Sequence, residues 1–242
     1  MTDSLFVRLT VIPTDIITAM SNIGLLKILQ ICDSLFPVGS FTLSNGLETY
    51  VQKNIITCAQ HLQEYLDSYL CVLPYNELGA AALAYKGFDL CLLDEIYNAC
   101  KASMEIRNGS RRVAGRFFKV SENTAVISPR VDEYRKLAAS GKCVGHQPIA
   151  YGLFMRDTGT DLIQALTVYG YSICSAIVTN CVKLVPLSQL EGQRVLSEGL
   201  EKISSAAEKA VNVTIDEIGI SGAGFDLRAM EHEYIYSRQY MS

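Results

Sequence analysis

The stretch Asp33-Ser-Leu-Phe-Pro-Val-Gly-Ser-Phe-Thr-Leu-Ser-Asn-Gly-Leu-Glu48 sets the reading of the whole chain. Pro37 fixes its own φ and biases Phe36 away from helical geometry, while Gly39 permits a reversal. Asn45 with Glu48 three residues on has the spacing of a capping box. The grammar is helix, sharp turn, helix, with the first helix over 23–32.

Outward from there the pattern is helix after helix. Thr57-x-x-Gln60 opens an apolar-periodic run to about Val72, and Leu90 to about Ile106 is read as another, with Leu93, Ile96, Tyr97 and Cys100 on one stripe. Leu162 to Val182 carries no charged residue, about the length of a membrane span. Gln164, Thr167, Tyr169, Ser172, Ser175, Thr179 and Asn180 recur along it, which suits a core helix buried by other helices, so no span is expected. Pro186 ends that helix near Val185, and the box Ser188-x-x-Glu191 starts another that runs to about Val211. Thr214-x-x-Glu217 repeats the device, and Gly219, Gly222 and Gly224 break the chain before a last helical segment from about Asp226.

The expected fold is all-α: one helical-bundle domain of roughly ten helices over 23–225. An N-terminal extension, 1–22, precedes it, and a C-terminal interaction tail, 226–242, is expected to be mobile or ordered by a partner. Length and a hydrophobic share of 49% allow a sizeable core. A net charge of -4 lacks the basic excess that binding to nucleic acid requires. The eight cysteines, at 32, 58, 71, 91, 100, 143, 174 and 181, form no Cys-x-x-Cys pair and are read as reduced core residues. No signal peptide is expected at the start, Met20 is a candidate biological start, and a cytoplasmic location is expected.

Catalytic grammar fails at each near-match. His232-Glu233-x-x-Tyr236 begins like a zinc-protease helix, but Tyr236 stands where the second imidazole must be. Thr42-Leu-Ser44-Asn-Gly46 lacks the first glycine and the preceding strand of a nucleophile elbow. Gly141-Lys142 is followed by Cys143 and has no upstream phosphate-loop glycine. Of three histidines, His61 reads as structural and His146 as part of a helix start, leaving His232 as the functional candidate. Arg107, Arg111, Arg112 and Arg116 form i,i+4 pairs read as a solvated face. By contrast, the opening stretch and the tail mix Ser, Asn, Glu, Tyr and Arg among apolar residues, the composition of a recognition surface.

The opening stretch also resembles, almost residue for residue, the N-terminal signature of the UreF family of urease accessory proteins. His146-Gln-Pro-Ile-Ala-Tyr-Gly152, Lys183-Leu-Val-Pro-Leu187 with Gly192-Gln-Arg-Val-Leu196, and Met230-Glu-His-Glu-Tyr-Ile-Tyr-Ser-Arg238 follow in the family's order. The resemblance implies a helical, non-enzymatic chaperone without cofactor or metal of its own. It would bridge UreD (also called UreH) and the GTPase UreG, the complex activating apo-urease by GTP-dependent nickel insertion, and it would self-associate as a homodimer. Matching positions implicated in partner contact are Phe36, Pro37, Ser44, Asn45 and Glu48; Lys183, Gln189, Gln193 and Arg194; and His232, Glu233, Tyr236, Ser237 and Arg238, the last group docking into UreD. The chain departs from the family's pattern at Glu231, where many relatives carry Arg, at Gln239-Tyr240, which replaces Leu-Phe, and at Gly222-Ala-Gly224, which replaces a proline-containing approach to the tail. Two other functions stay open: a strict GTPase-activating protein supplying Arg194 or Lys183 in trans, and a helical binding module unrelated to nickel.

Overall fold

In the computed structural model, which describes residues 14–124, 126 and 128–241, twelve α-helices and four single 3-10 turns account for the regular structure. The helices are α1 (Thr14–Cys32), α2 (Leu47–Gln52), α3 (Ala59–Val72), α4 (Glu77–Lys86), α5 (Leu90–Cys100), α6 (Met104–Asn123), α7 (Pro129–Ala139), α8 (Gln147–Thr158), α9 (Leu162–Leu184), α10 (Gln189–Glu198), α11 (Leu200–Val211) and α12 (Ala223–Glu231). There is no strand among the described residues, so the all-α expectation holds.

The centre is α9 with α8 and α4. One stripe of α9, Ala165, Leu166, Tyr169, Cys174, Ile177, Val178 and Cys181, is buried under α1, α4, α10 and α11. Its length and composition would suffice to cross a membrane, but it is the core helix of this bundle. Against it lie α4, built on the buried Ala80, Ala81, Ala82 and Ala84, and α8, buried from Gln147 to Met155. The small residues let the backbones touch: a Cβ on Gly152 would sit 2.1 Å from the Ala81 carbonyl oxygen. Around this contact Phe117, Tyr151, Phe154 and Tyr169 pack ring to ring, with Phe117–Tyr151 centroids 5.0 Å apart. Fully burying each such ring contributes about 1.5–3 kcal/mol, provided a hydroxyl finds a partner. Tyr151 finds one by donating to the Ile31 carbonyl at 3.0 Å.

Two of the local capping signals stand as read. Ser188 and Glu191 form the expected capping box on α10, and Thr214 and Glu217 form another on a 3-10 turn. Five readings need correction. The first helix starts at Thr14 rather than at residue 23, so residues 14–22 are continuous with it, and residues 1–13 of the expected extension lie outside the described residues. Asn45 is in the left-handed region (φ 51°), Gly46 is the N-cap of α2, and Glu48 is turned inward instead of closing a box. At α3 the cap is Cys58, because the Thr57 hydroxyl meets His61 Nδ1 at 3.3 Å. The run 90–106 is two helices, since Lys101 turns away to Glu77 and Ser103 caps α6 through the Ile106 N–H. Likewise Gly199 divides the run 189–211 into α10 and α11.

The C-terminal stretch, expected to order on a partner, is folded onto the body here. Its helix α12 starts at Ala223 and packs on α2 and α6.

Candidate functional site

The sequence-predicted residues divide between a closed seam and an open surface. The seam joins the end of the chain to α2 and α6. His232 is wholly buried, its Nε2 3.0 Å from Glu48 Oε2 and its Nδ1 2.5 Å from Glu105 Oε2. Each ring nitrogen thus faces a carboxylate oxygen. Glu48, itself buried, accepts further bonds from the backbone N–H groups of Gln239 (2.8 Å) and Tyr240 (3.1 Å). Arg238 donates to the other Glu105 oxygen at 2.7 Å, Gln52 donates to the Ser237 carbonyl at 2.6 Å, and the Met241 N–H to the Thr42 carbonyl at 2.8 Å. The charge on these carboxylates is thereby matched by donors from one short segment, which positions that segment.

Phe36, Ser44, Glu48 and His232 are buried. Phe36 packs on Phe117 at 6.2 Å, and Asn45 donates to the Tyr69 hydroxyl at 3.1 Å. Pro37, Ser237 and Arg238 are exposed, Glu233 is half-buried, and Tyr236 stands fully in solvent. Tyr234, which the sequence reading passed over, is 86% exposed beside it. The alternation His232-x-Tyr234-x-Tyr236 was the available signal. Glu105 was also missed, because it follows an ordinary cap at Ser103 and its partner lies at the far end of the chain.

Beside the seam runs a groove of about 590 Å³ between α9, α1 and the loop before α2. Val168, Tyr171, Ser172, Ser175, Thr179 and Lys183, the α9 stripe opposite the buried one, line it. Asn180 ties the groove's edge by donating to the Phe41 carbonyl at 3.0 Å. At its floor Glu77 is held by Lys101 (2.9 Å) and Tyr97 (3.2 Å). Burial pushes the Glu77 carboxyl upward, but the Lys101 ammonium and these hydrogen bonds outweigh it and hold the group below its ordinary value. On α1, Ile23, Leu26 and Leu29 are exposed, so an apolar strip borders the groove.

Gln189, Gln193 and Arg194 are exposed on the outer face of α10, whose other side packs on α9 and α3. The structure joins Glu48 of the first predicted group to His232 of the third, places Lys183 in the groove, and puts the α10 residues on a separate face. Among the described residues no group of three or more His, Cys, Asp or Glu side chains is arranged to hold a metal ion.

The model of the family described as UreF matches residues 56–199. A urease accessory protein UreF from Actinobacillus pleuropneumoniae is 33% identical over 233 residues, covering 92% of this chain and 100% of the relative. The protein of the same name from Haemophilus influenzae (strain PittGG) is 32% identical, covering 93% of this chain and 97% of the relative. That from Paenarthrobacter aurescens (strain TC1) is 29% identical, covering 92% and 100%. On a family match spanning more than half its length and full-length relatives of this similarity, the chain belongs to the UreF family of urease accessory proteins.

Proposed function

We propose that this protein is a non-catalytic scaffold that bridges UreD and the GTPase UreG, and so drives GTP-dependent assembly of the urease nickel centre in the cytoplasm. The observation that carries this reading is the seam. Two fully or largely exposed tyrosines and Arg238 are displayed from a segment held by backbone bonds to buried Glu48 and by side-chain bonds to half-buried Glu105. Aromatic and arginine side chains on a held backbone are the usual anchors of a protein interface, since little conformational freedom remains to be lost on docking. This face docks UreD, and the α10 face, with Gln189, Gln193 and Arg194, meets UreG. A scaffold of this kind regulates a GTPase by binding one nucleotide state more tightly than the other, with the population shift set by the difference in affinity. Nickel is cargo of the complex, and no resident metal is needed in this chain. The apolar strip of Ile23, Leu26 and Leu29 supports self-association as a homodimer.

The test is co-purification with cognate UreD and UreG, comparing the full chain with one ending before Asp226 and scoring urease activity in the same cells. Capture of UreD by the full chain and its loss on truncation is the expected result. Full-length protein that captures neither partner, in cells that mature urease without it, overturns the reading. Loss of stimulated GTP hydrolysis in Arg194→Ala with intact assembly would instead favour a catalytic residue supplied in trans.

A further inference from the structure

Cys91 lies in the first turn of α5 and Cys143 in the loop between α7 and α8, yet their sulfur atoms are 3.7 Å apart. The other thiols are engaged or isolated: Cys100 donates to the Ile218 carbonyl and Cys71 to the Asp67 carbonyl, while Cys174 and Cys181 are buried in α9. Among the described residues, 91 and 143 are the one pair whose sulfurs meet.

The encounter is held from several sides. Asp94, one turn after Cys91, accepts from the N–H groups of Val144 (2.5 Å) and Gly145 (3.0 Å) and from the Tyr134 hydroxyl. The Cys143 N–H bonds back to the Leu137 carbonyl at 3.3 Å. A carboxylate buried at 1% exposure thus pins the loop residue next to Cys143 onto the helix that carries Cys91. A disulfide needs the sulfurs to close by about 1.7 Å, within reach of side-chain rotation on a backbone already in place.

We propose that Cys91 and Cys143 form a redox-sensitive dithiol that closes to an intramolecular disulfide on exposure to a hydroperoxide, stapling α5 to the α7–α8 loop. Cys91 is the more exposed partner and takes the oxidant, Cys143 being 8% exposed. Burial first, then the neighbouring Cys91 thiol and Asp94, push the Cys143 thiol up to about 12, so Cys143 stays protonated and is not the thiolate that meets the peroxide. The Cys91 thiolate attacks the peroxide O–O bond, giving a sulfenic acid and hydroxide. The Cys143 thiol then attacks the sulfenic sulfur. The S–O bond breaks, and the thiol proton leaves with the hydroxide as water. Two thiols are oxidised by two electrons and one peroxide is reduced to two waters. The closed loop contains α6 and hence Glu105, so the staple constrains the helix on which His232 rests.

The test uses the full chain, reduced, treated with hydrogen peroxide, alkylated and mapped without reductant. The expected result is a linked pair of peptides holding Cys91 and Cys143, in a protein lighter by two hydrogens, with Tm raised by about 5–15 °C and both changes reversed by dithiothreitol. Cys91→Ser should abolish the link while Cys71→Ser leaves it intact. Separate alkylation of both thiols, sulfinic acid at Cys91 without a link, or equal linkage among other cysteine pairs overturns the proposal.

Discussion

His232 Nε2 sits 3.0 Å from Glu48 Oε2 with both side chains shut off from solvent, tying the last segment of the chain to the helix that ends its opening signature. Breaking a buried pair by removing one partner strands the other charge, at a cost of about 3–5 kcal/mol. His232→Ala should therefore lower the thermal midpoint and expose the segment after Arg228 to trypsin. An unchanged midpoint and digestion pattern would show that the seam contributes nothing to holding the tail.

The same argument applies at the groove floor, where Lys101 is 2.9 Å from Glu77 and both are largely buried. Lys101→Met should destabilise by about 3 kcal/mol or more, because Glu77 is left without its cation. Adding Glu77→Gln to that variant should recover much of the loss. A double variant as unstable as the single one would assign the cost to packing rather than charge.

Acid stability should report His146. Burial lowers it to about 4, with Asp94 opposing and Lys101, Arg111 and Arg107 reinforcing. In the unfolded chain its value is near 6.5, so between about pH 6.5 and 4 the unfolded state takes up a proton that the native state refuses. Stability should fall across that window as pH drops, by roughly 3 kcal/mol, and then level off. Urea midpoints against pH should be flatter for His146→Gln, and an identical acid slope in the variant would exclude His146 as the source.

Gly152 is where α8 lies directly on α4. Since a Cβ would collide with the Ala81 carbonyl, which is backbone and cannot swing aside, Gly152→Ala should separate the helices and cost about 1–3 kcal/mol or more. Gly159→Ala gives the contrast: nothing lies within 4 Å, and only its left-handed φ of 69° opposes the change. Equal midpoint shifts in the two variants would mean that the α4–α8 spacing is not a constraint.

Tyr236 is fully exposed, so Tyr236→Ala should leave the unfolding free energy within about 0.5 kcal/mol of the parent while weakening UreD capture tenfold or more. Normal capture by a doubly substituted Tyr234→Ala, Tyr236→Ala protein would remove this face from the interface.

Much of the architecture was legible along the chain. The end of α9 before Pro186, the Ser188–Glu191 and Thr214–Glu217 boxes and the breaks around Gly219 and Gly222 all rest on contacts within a few residues, and each stands where its motif stands. The candidate site was legible only as composition. Ser44, Glu48 and His232 were picked out as recognition residues by type, but nothing local to them shows that they face inward while Tyr234 faces out.

What the sequence determined by itself is therefore the helical class, some helix ends and the family, because periodicity, caps and motif order are properties of neighbours in the chain. What only the tertiary structure decided is the use of the polar residues. Glu48 could have closed a cap three residues away, yet it accepts bonds from residues more than 180 positions later, since a buried carboxylate is satisfied best where several donors converge. Lys101 likewise ends a helix that periodicity would have continued, because Glu77, brought beside it by packing, is a better partner than water.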